Sequence, residues 1–240
     1  YIPDPNQPSG KKSSIQFEGD EVFNLHGYKV FDEGISWNQA KKRCEDLGGH
    51  LVTISSKQEQ AFVQNLIFLK GNQPSYWSGG FCDDQNNWKW VTGEDFIYTN
   101  WNPGEPNHGA DDEDKIMIYR ASVLGQWNDI SANGNPNYTF YRLSSFGFVC
   151  EWDNVENPNS STKNSKSIDG YEELNGHYYR FFDETADWNQ AKKRCEDLGG
   201  HLVTISSKQE QAFVQNLIFL QGMRSYYWAG GYRDENGNWK

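Results

Sequence analysis

The chain has 240 residues, of which 36% are apolar and 15% aromatic, with ten tryptophans and a formal net charge of −11. That length holds one large domain or two ordinary ones, and a mean hydropathy of −0.87 describes the surface of a soluble globular protein. The acidic balance argues against nucleic acid or an anionic membrane as partner, because both repel negative charge. No run approaches the roughly 18 apolar residues of a membrane span, so direct membrane insertion is not expected.

Residues 1–21 carry three prolines in a polar run and read as an N-terminal linker segment without a signal-peptide pattern, so that any targeting segment lies outside this stretch. Val22 to Phe31 has aromatic and β-branched residues around Gly27, which predicts a strand or a short hairpin turning at that glycine. Ser36 stands three residues before Gln39, a capping-box signature. Trp37, Ala40, Cys44 and Leu47 then fall on one helical face, and Gly48-Gly49 stops the helix. Leu51 to Ile54 predicts a short strand. Ser56 with Glu59 caps a second helix, whose predicted buried face is Ala61, Phe62, Asn65-Leu66 and Leu69.

Beyond Gly71 come Tyr76-Trp77, Trp88 to Val91, Lys115 to Tyr119, Gly125 to Asp129 and Phe146 to Trp152, each a strand candidate. A polar, acidic stretch from Thr92 to Asp114 interrupts them. Strand, helix, helix, then several strands is an α+β order. A loop of about twenty residues inside a compact domain is usually functional.

The chain then repeats itself. Trp37 to Leu69 and Trp188 to Leu220 are identical over 33 residues at an offset of 151. Similarity extends outward until the second copy reaches Lys240, the counterpart of Lys89. A repeat of this length means tandem domains rather than a solenoid. The predicted organisation is a complete domain over 22–152, a flexible Asn/Ser/Pro-rich linker over 153–169, and a truncated second domain over 170–240. Without the sheet half of its core, the second copy is expected to be poorly stable alone.

At this point the residues become specific. Cys44, the strand Tyr76-Trp77-Ser78-Gly79-Gly80, Trp101-Asn102, Glu105-Pro106-Asn107, Trp127-Asn128-Asp129 and Cys150 stand in an order that resembles the C-type lectin family. The resemblance implies an α+β C-type lectin fold, with two helices flanking small antiparallel sheets and a long calcium-binding loop. It makes Glu105, Asn107, Glu113, Asn128 and Asp129 both the metal ligands and the sugar-binding residues, with Pro106 a cis-proline. Those five side chains are the oxygen donors that the hard cation Ca2+ prefers. Asp111 and Asp112 are the nearest rivals to Glu113.

Within the family, Glu-Pro-Asn goes with mannose, N-acetylglucosamine, fucose or glucose. Glu105 can only accept a hydrogen bond while the amide of Asn107 donates one, so two vicinal hydroxyls would find complementary partners. The resemblance also implies a disulfide between Cys44 and Cys150. Closing a loop of just over a hundred residues would contribute up to ~4.7 kcal/mol, and would place the protein in an oxidising, extracellular or cell-surface setting.

The chain departs from the family where a second disulfide would join positions matching Lys115 and Ala132. A further calcium ion would use an acidic residue where His108 stands; Asp83, Asp84 and Asp114 are the remaining candidates for it. Cys82 has no family role and reads as a partly buried free cysteine or an interchain link. The implied function is calcium-dependent binding of glycans or glycoproteins, with repeated copies gaining avidity as a multivalent array. The alternatives are a protein-binding adhesin or receptor module on the same fold, or a spacer. Catalysis is not expected, because calcium would hold each carboxylate of the set deprotonated, and no Ser-His-Asp, Cys-His or phosphate-loop arrangement occurs.

Overall fold

The computed structural model describes residues 21–109, 112–120, 125–137, 141–155, 171–224 and 226–240. Asp111, the N-terminal segment before residue 21 and the linker from 156 to 170 lie outside the described residues.

Strands β1 (Glu21–Phe23) and β2 (His26–Phe31) form an antiparallel hairpin with Phe23 opposite His26. Its turn is Asn24-Leu25, both left-handed at φ 48° and 67°, the geometry that matches strand twist in a two-residue hairpin. This corrects the turn expected at Gly27, which is buried inside β2. Leucine is a poor left-handed residue, so the composition pointed to the wrong pair.

Helix α1 (Trp37–Asp46) starts at the predicted capping box, with the Ser36 amide donating to Gln39 Oε1 at 3.0 Å, and buries Trp37, Ala40 and Cys44. Helix α2 (Lys57–Lys70) is capped by Ser56, whose hydroxyl accepts from the Glu59 amide at 3.2 Å. The side of α2 that faces the core is Val63, Leu66 and Ile67, with Phe62 packed at its edge. Asn65 and Leu69 are only half-buried, a rotation of the predicted face. The helix is apolar on more than one side, so periodicity alone does not choose the stripe that meets the sheet.

Strands β3 (His50–Leu51), β4 (Ser75–Cys82), β5 (Trp88–Trp90), β6 (Lys115–Tyr119), β7 (Trp127–Ile130) and β8 (Phe146–Trp152) complete the first copy. The connected order is β1-β2-β8-β4-β6-β7, with β3 on β8 and β5 on β4. Every pairing is antiparallel except β4 with β8, where Ser75 lies opposite Phe146. The last strand of the copy thus sits between the second and the fourth, and all seven of its residues are buried. Gly49 lets α1 approach it, since a methyl group there would stand 2.3 Å from the Glu151 carbonyl oxygen. One core cluster gathers Val52, Leu66, Tyr76, Trp90 and Trp127 around α2. The other gathers Trp37, Cys44, Trp77, Phe146 and Cys150 around α1.

The second copy repeats the opening of the first as β9 (Glu172–Leu174), β10 (His177–Tyr179), α3 (Trp188–Asp197) and α4 (Lys208–Gln221). Its helices keep the same caps, with Asp187 in place of Ser36. The side chains matching the first core line an open groove of about 950 Å3, among them Tyr179, Leu202, Leu217 and Ile218.

Candidate functional site

The site is assembled from β7 and the long loop between β5 and β6. Trp127 is the anchor: it is fully buried, and its indole Nε1 donates to Gln60 Oε1 on α2 at 2.8 Å. The Gln60 amide nitrogen donates in turn to the Gly125 carbonyl at 3.0 Å. The loop lies against β7 through two backbone bonds, Trp127 N to Asn100 O at 2.8 Å and Asn102 N to Trp127 O at 2.9 Å. The Glu105 amide then donates to Asn102 O at 2.9 Å, and the Glu105–Pro106 peptide is cis.

Asp129, 1% exposed, is held by the loop backbone. The Asn107 amide donates to its Oδ1 at 3.1 Å and the His108 amide to its Oδ2 at 2.8 Å. Asn128 is buried beside it and spends its amide nitrogen on the Asp129 carbonyl at 2.7 Å, so the side-chain oxygen is the atom it could offer a ligand. The Glu105 carboxyl is raised above the usual carboxylate range, first by burial and then by contact with Asp129. Its Oε2 is buried without a hydrogen-bond partner. Glycine at 109 keeps the remaining side of the site open: a methyl group there would lie 2.8 Å from Asn107 Oδ1 and 3.0 Å from Glu113 Oε2.

Glu105, Asn107, Glu113 and Asp129 therefore converge, with Asn128 adjacent in β7, whereas Asp112 is exposed. Two carboxylates against each other, one with an orphaned oxygen, repel unless a proton or a cation intervenes. An all-oxygen set of carboxylates and amides fits Ca2+. Beside it, the His108 ring stacks on Trp88 with centroids 6.0 Å apart and its Nδ1 lies 3.5 Å from Asp129 Oδ2. Trp90 is buried with Trp127, while Trp88 and Trp101 are half-buried and meet edge to face at 4.9 Å.

The other cysteine and disulfide positions are equally concrete. Cys44 and Cys150 are free, buried cysteines of one core cluster, and burial first, then the neighbouring Cys150 thiol, pushes the Cys44 thiol up. Cys82 is half-buried near Asn86 Oδ1 at 3.4 Å. Where the second family disulfide would run, Lys115 is buried, pairs with Asp114 and lies 5.0 Å over the Trp37 ring. The Trp37 amide donates to the Ala132 carbonyl at 2.9 Å.

A buried acidic network at the same N-terminal end of α2, around Glu59, is not evident from the sequence. Glu151, 1% exposed, accepts from the Thr53 amide at 2.9 Å and contacts His26 Nδ1 at 2.7 Å. Tyr28 donates to Glu59 at 2.8 Å, and Glu59 also accepts from the Ser55 amide at 2.8 Å. Among the described residues, His26, Glu151 and Asp153 are the group of three such side chains close enough to share an ion. Glu59 was legible only as a helix cap; its buried role depends on Tyr28 and Glu151, which are distant in the chain.

The lectin C-type domain family model matches residues 33–139 and 184–240. The chain therefore belongs to the C-type lectin domain family, and its α+β architecture is that family's fold. It is 27% identical to the secretory phospholipase A2 receptor of Oryctolagus cuniculus over 217 residues, covering 84% of this chain and 14% of the receptor. It is 31% identical to a perlucin-like protein of Mytilus galloprovincialis over 135 residues, covering 55% of this chain and 80% of that protein. The cow C-type carbohydrate-recognition domain of CD23, crystallised in the presence of a GlcNAc2Man3 oligosaccharide, superposes with a TM-score of 0.45 at 28% identity, over 56% of this chain and 93% of that one. The family's members are receptors and lectins, not enzymes. Among the described residues, no helix is long and apolar enough to cross a membrane.

Proposed function

We propose that the first copy binds glycans or glycoproteins of the mannose, N-acetylglucosamine and fucose type in a calcium-dependent manner, as a module of a secreted or cell-surface protein. Glu105, Asn107, Glu113, Asn128 and Asp129 would hold Ca2+. When bound, the ion supplies a positive centre for two vicinal sugar hydroxyls. Glu105 would accept a hydrogen bond from one hydroxyl and the side-chain amide nitrogen of Asn107 would donate to the other. Asp129 keeps the loop in position through the Asn107 and His108 amides.

The observation that carries the reading is the buried Glu105 oxygen without a partner, turned into a site that Asp129 shares. In an oxidising compartment, the adjacent thiols of Cys44 and Cys150 would close the disulfide the family resemblance implies. The test is calorimetric titration of calcium into the whole chain, beside Asp129→Asn. Heat of binding in the wild type and its loss in the variant support the reading. Binding that survives in Asp129→Asn places the ion elsewhere and overturns it.

A further inference from the structure

Helices α2 and α4 carry the same sequence from Lys57 to Leu69 and from Lys208 to Leu220, and they pack against each other. Their contacts are reciprocal. Lys57 Nζ lies 5.0 Å over the Phe219 ring and donates to the Leu220 carbonyl at 3.4 Å. Lys208 Nζ lies 5.2 Å over the Phe68 ring and donates to the Leu69 carbonyl at 3.1 Å. Each lysine opens its own helix and meets the closing turn of the other, so the two run antiparallel about a local two-fold axis. That arrangement removes a cation from the positive end of its own helix dipole and sets it on the negative end of its neighbour's.

The face used is separate from the one that meets the core. Val63, Leu66 and Ile67 face inward, and Ala61 belongs to neither core cluster. Lys57, Ala61, Asn65 and Phe68 share a second stripe at spacings of four, four and three residues. On α4, where Leu217 and Ile218 face the open groove and remain half exposed, Ala212 is buried to 2%. It is the counterpart of Ala61 and lies one turn from Lys208, on the side turned to α2.

We infer that the outer face of this helix is a self-complementary docking surface, and that the partner it fits is a second copy of the same helix. A surface that meets itself about a two-fold axis needs no second kind of partner. Within this chain the docking sets the two helices in one fixed antiparallel arrangement.

The test uses the whole chain carrying Ala212→Glu, which alters only the second copy's side of the contact. Amide chemical shifts are read along Lys57–Leu69 of the first copy, with Lys193→Gln on α3 as the control. Docking predicts that Ala212→Glu moves those first-copy resonances and increases the maximum dimension measured by small-angle scattering, while the control does neither. Phe219→Ala, which adds no charge, moves the same resonances less, so the reading does not depend on α4 tolerating a glutamate. Resonances along Lys57–Leu69 that stay in place in both Ala212→Glu and Phe219→Ala overturn the inference.

Discussion

The indole of Trp127 donates to the buried side-chain oxygen of Gln60, tying helix α2 to the strand whose next two residues are Asn128 and Asp129. The candidate site therefore hangs from the core of the fold rather than from a loose loop. Gln60→Leu keeps the volume but leaves the Trp127 N–H unpaired, a loss of about 1–3 kcal/mol. The Gly125 carbonyl keeps its bond from Asn100 Nδ2 at 3.1 Å, so the cost stays in that range. Denaturant unfolding measures it, and calcium affinity is expected to fall with it; unchanged stability would contradict the role given to this bond.

The repeat supplies a matched pair for core packing. Ile67 is 1% exposed in the first copy, whereas its identical counterpart Ile218 is half exposed on the open groove. Ile67→Ala is expected to cost about 2–5 kcal/mol of first-copy stability. Ile218→Ala has less apolar surface to lose and is expected to cost under about 1 kcal/mol. Thermal unfolding of the two variants side by side checks the ratio.

Cys44 on α1 and Cys150 on the central strand are buried in one core cluster. Oxidation is expected to raise the stability of the first copy by up to ~4.7 kcal/mol in the chain-entropy account of a loop of this size. A reductant should then lower the melting temperature of the oxidised wild type and leave Cys44→Ala unchanged. Equal sensitivity of both proteins would show that the pair does not cross-link.

His26 gives a pH dependence with a definite sign. Its hydrogen bond to Glu151 raises its pKa above the ordinary value of 6.5, against the opposing effect of burial. The protonated imidazole is thus favoured in the folded state, and its contribution is complete below pH 6.5 and lost as pH rises through the folded pKa. His26→Gln should remove that segment of the stability profile. The difference in unfolding free energy between wild type and variant, followed from pH 5.5 to pH 8.5, is expected to shrink as pH rises.

Local chemistry made much of this legible. The capping residues Ser36 and Ser56 announced both helices, and the tripeptides Glu105-Pro106-Asn107 and Trp127-Asn128-Asp129 marked the loop and strand that meet. What was not legible depends on distance along the chain. The inward face of α2 was misjudged because Ala61 and Phe68 form a second stripe, whose partner lies over a hundred residues away. The Tyr28–Glu59–Glu151 network escaped for the same reason: each residue alone reads as a strand tyrosine, a cap and a surface acid. The Asn24-Leu25 turn was hidden by a leucine in a conformation that composition does not favour.

Calcium-dependent mannose binding is checked by isothermal titration of mannose into the calcium-loaded whole chain, repeated with Glu105→Gln/Asn107→Asp. Mannose is expected to bind the wild type only with calcium present, and the exchanged pair, which swaps the acceptor and donor positions, is expected to lose mannose while keeping calcium. Mannose binding that persists under chelation, or is indifferent to the exchange, would contradict the proposed function.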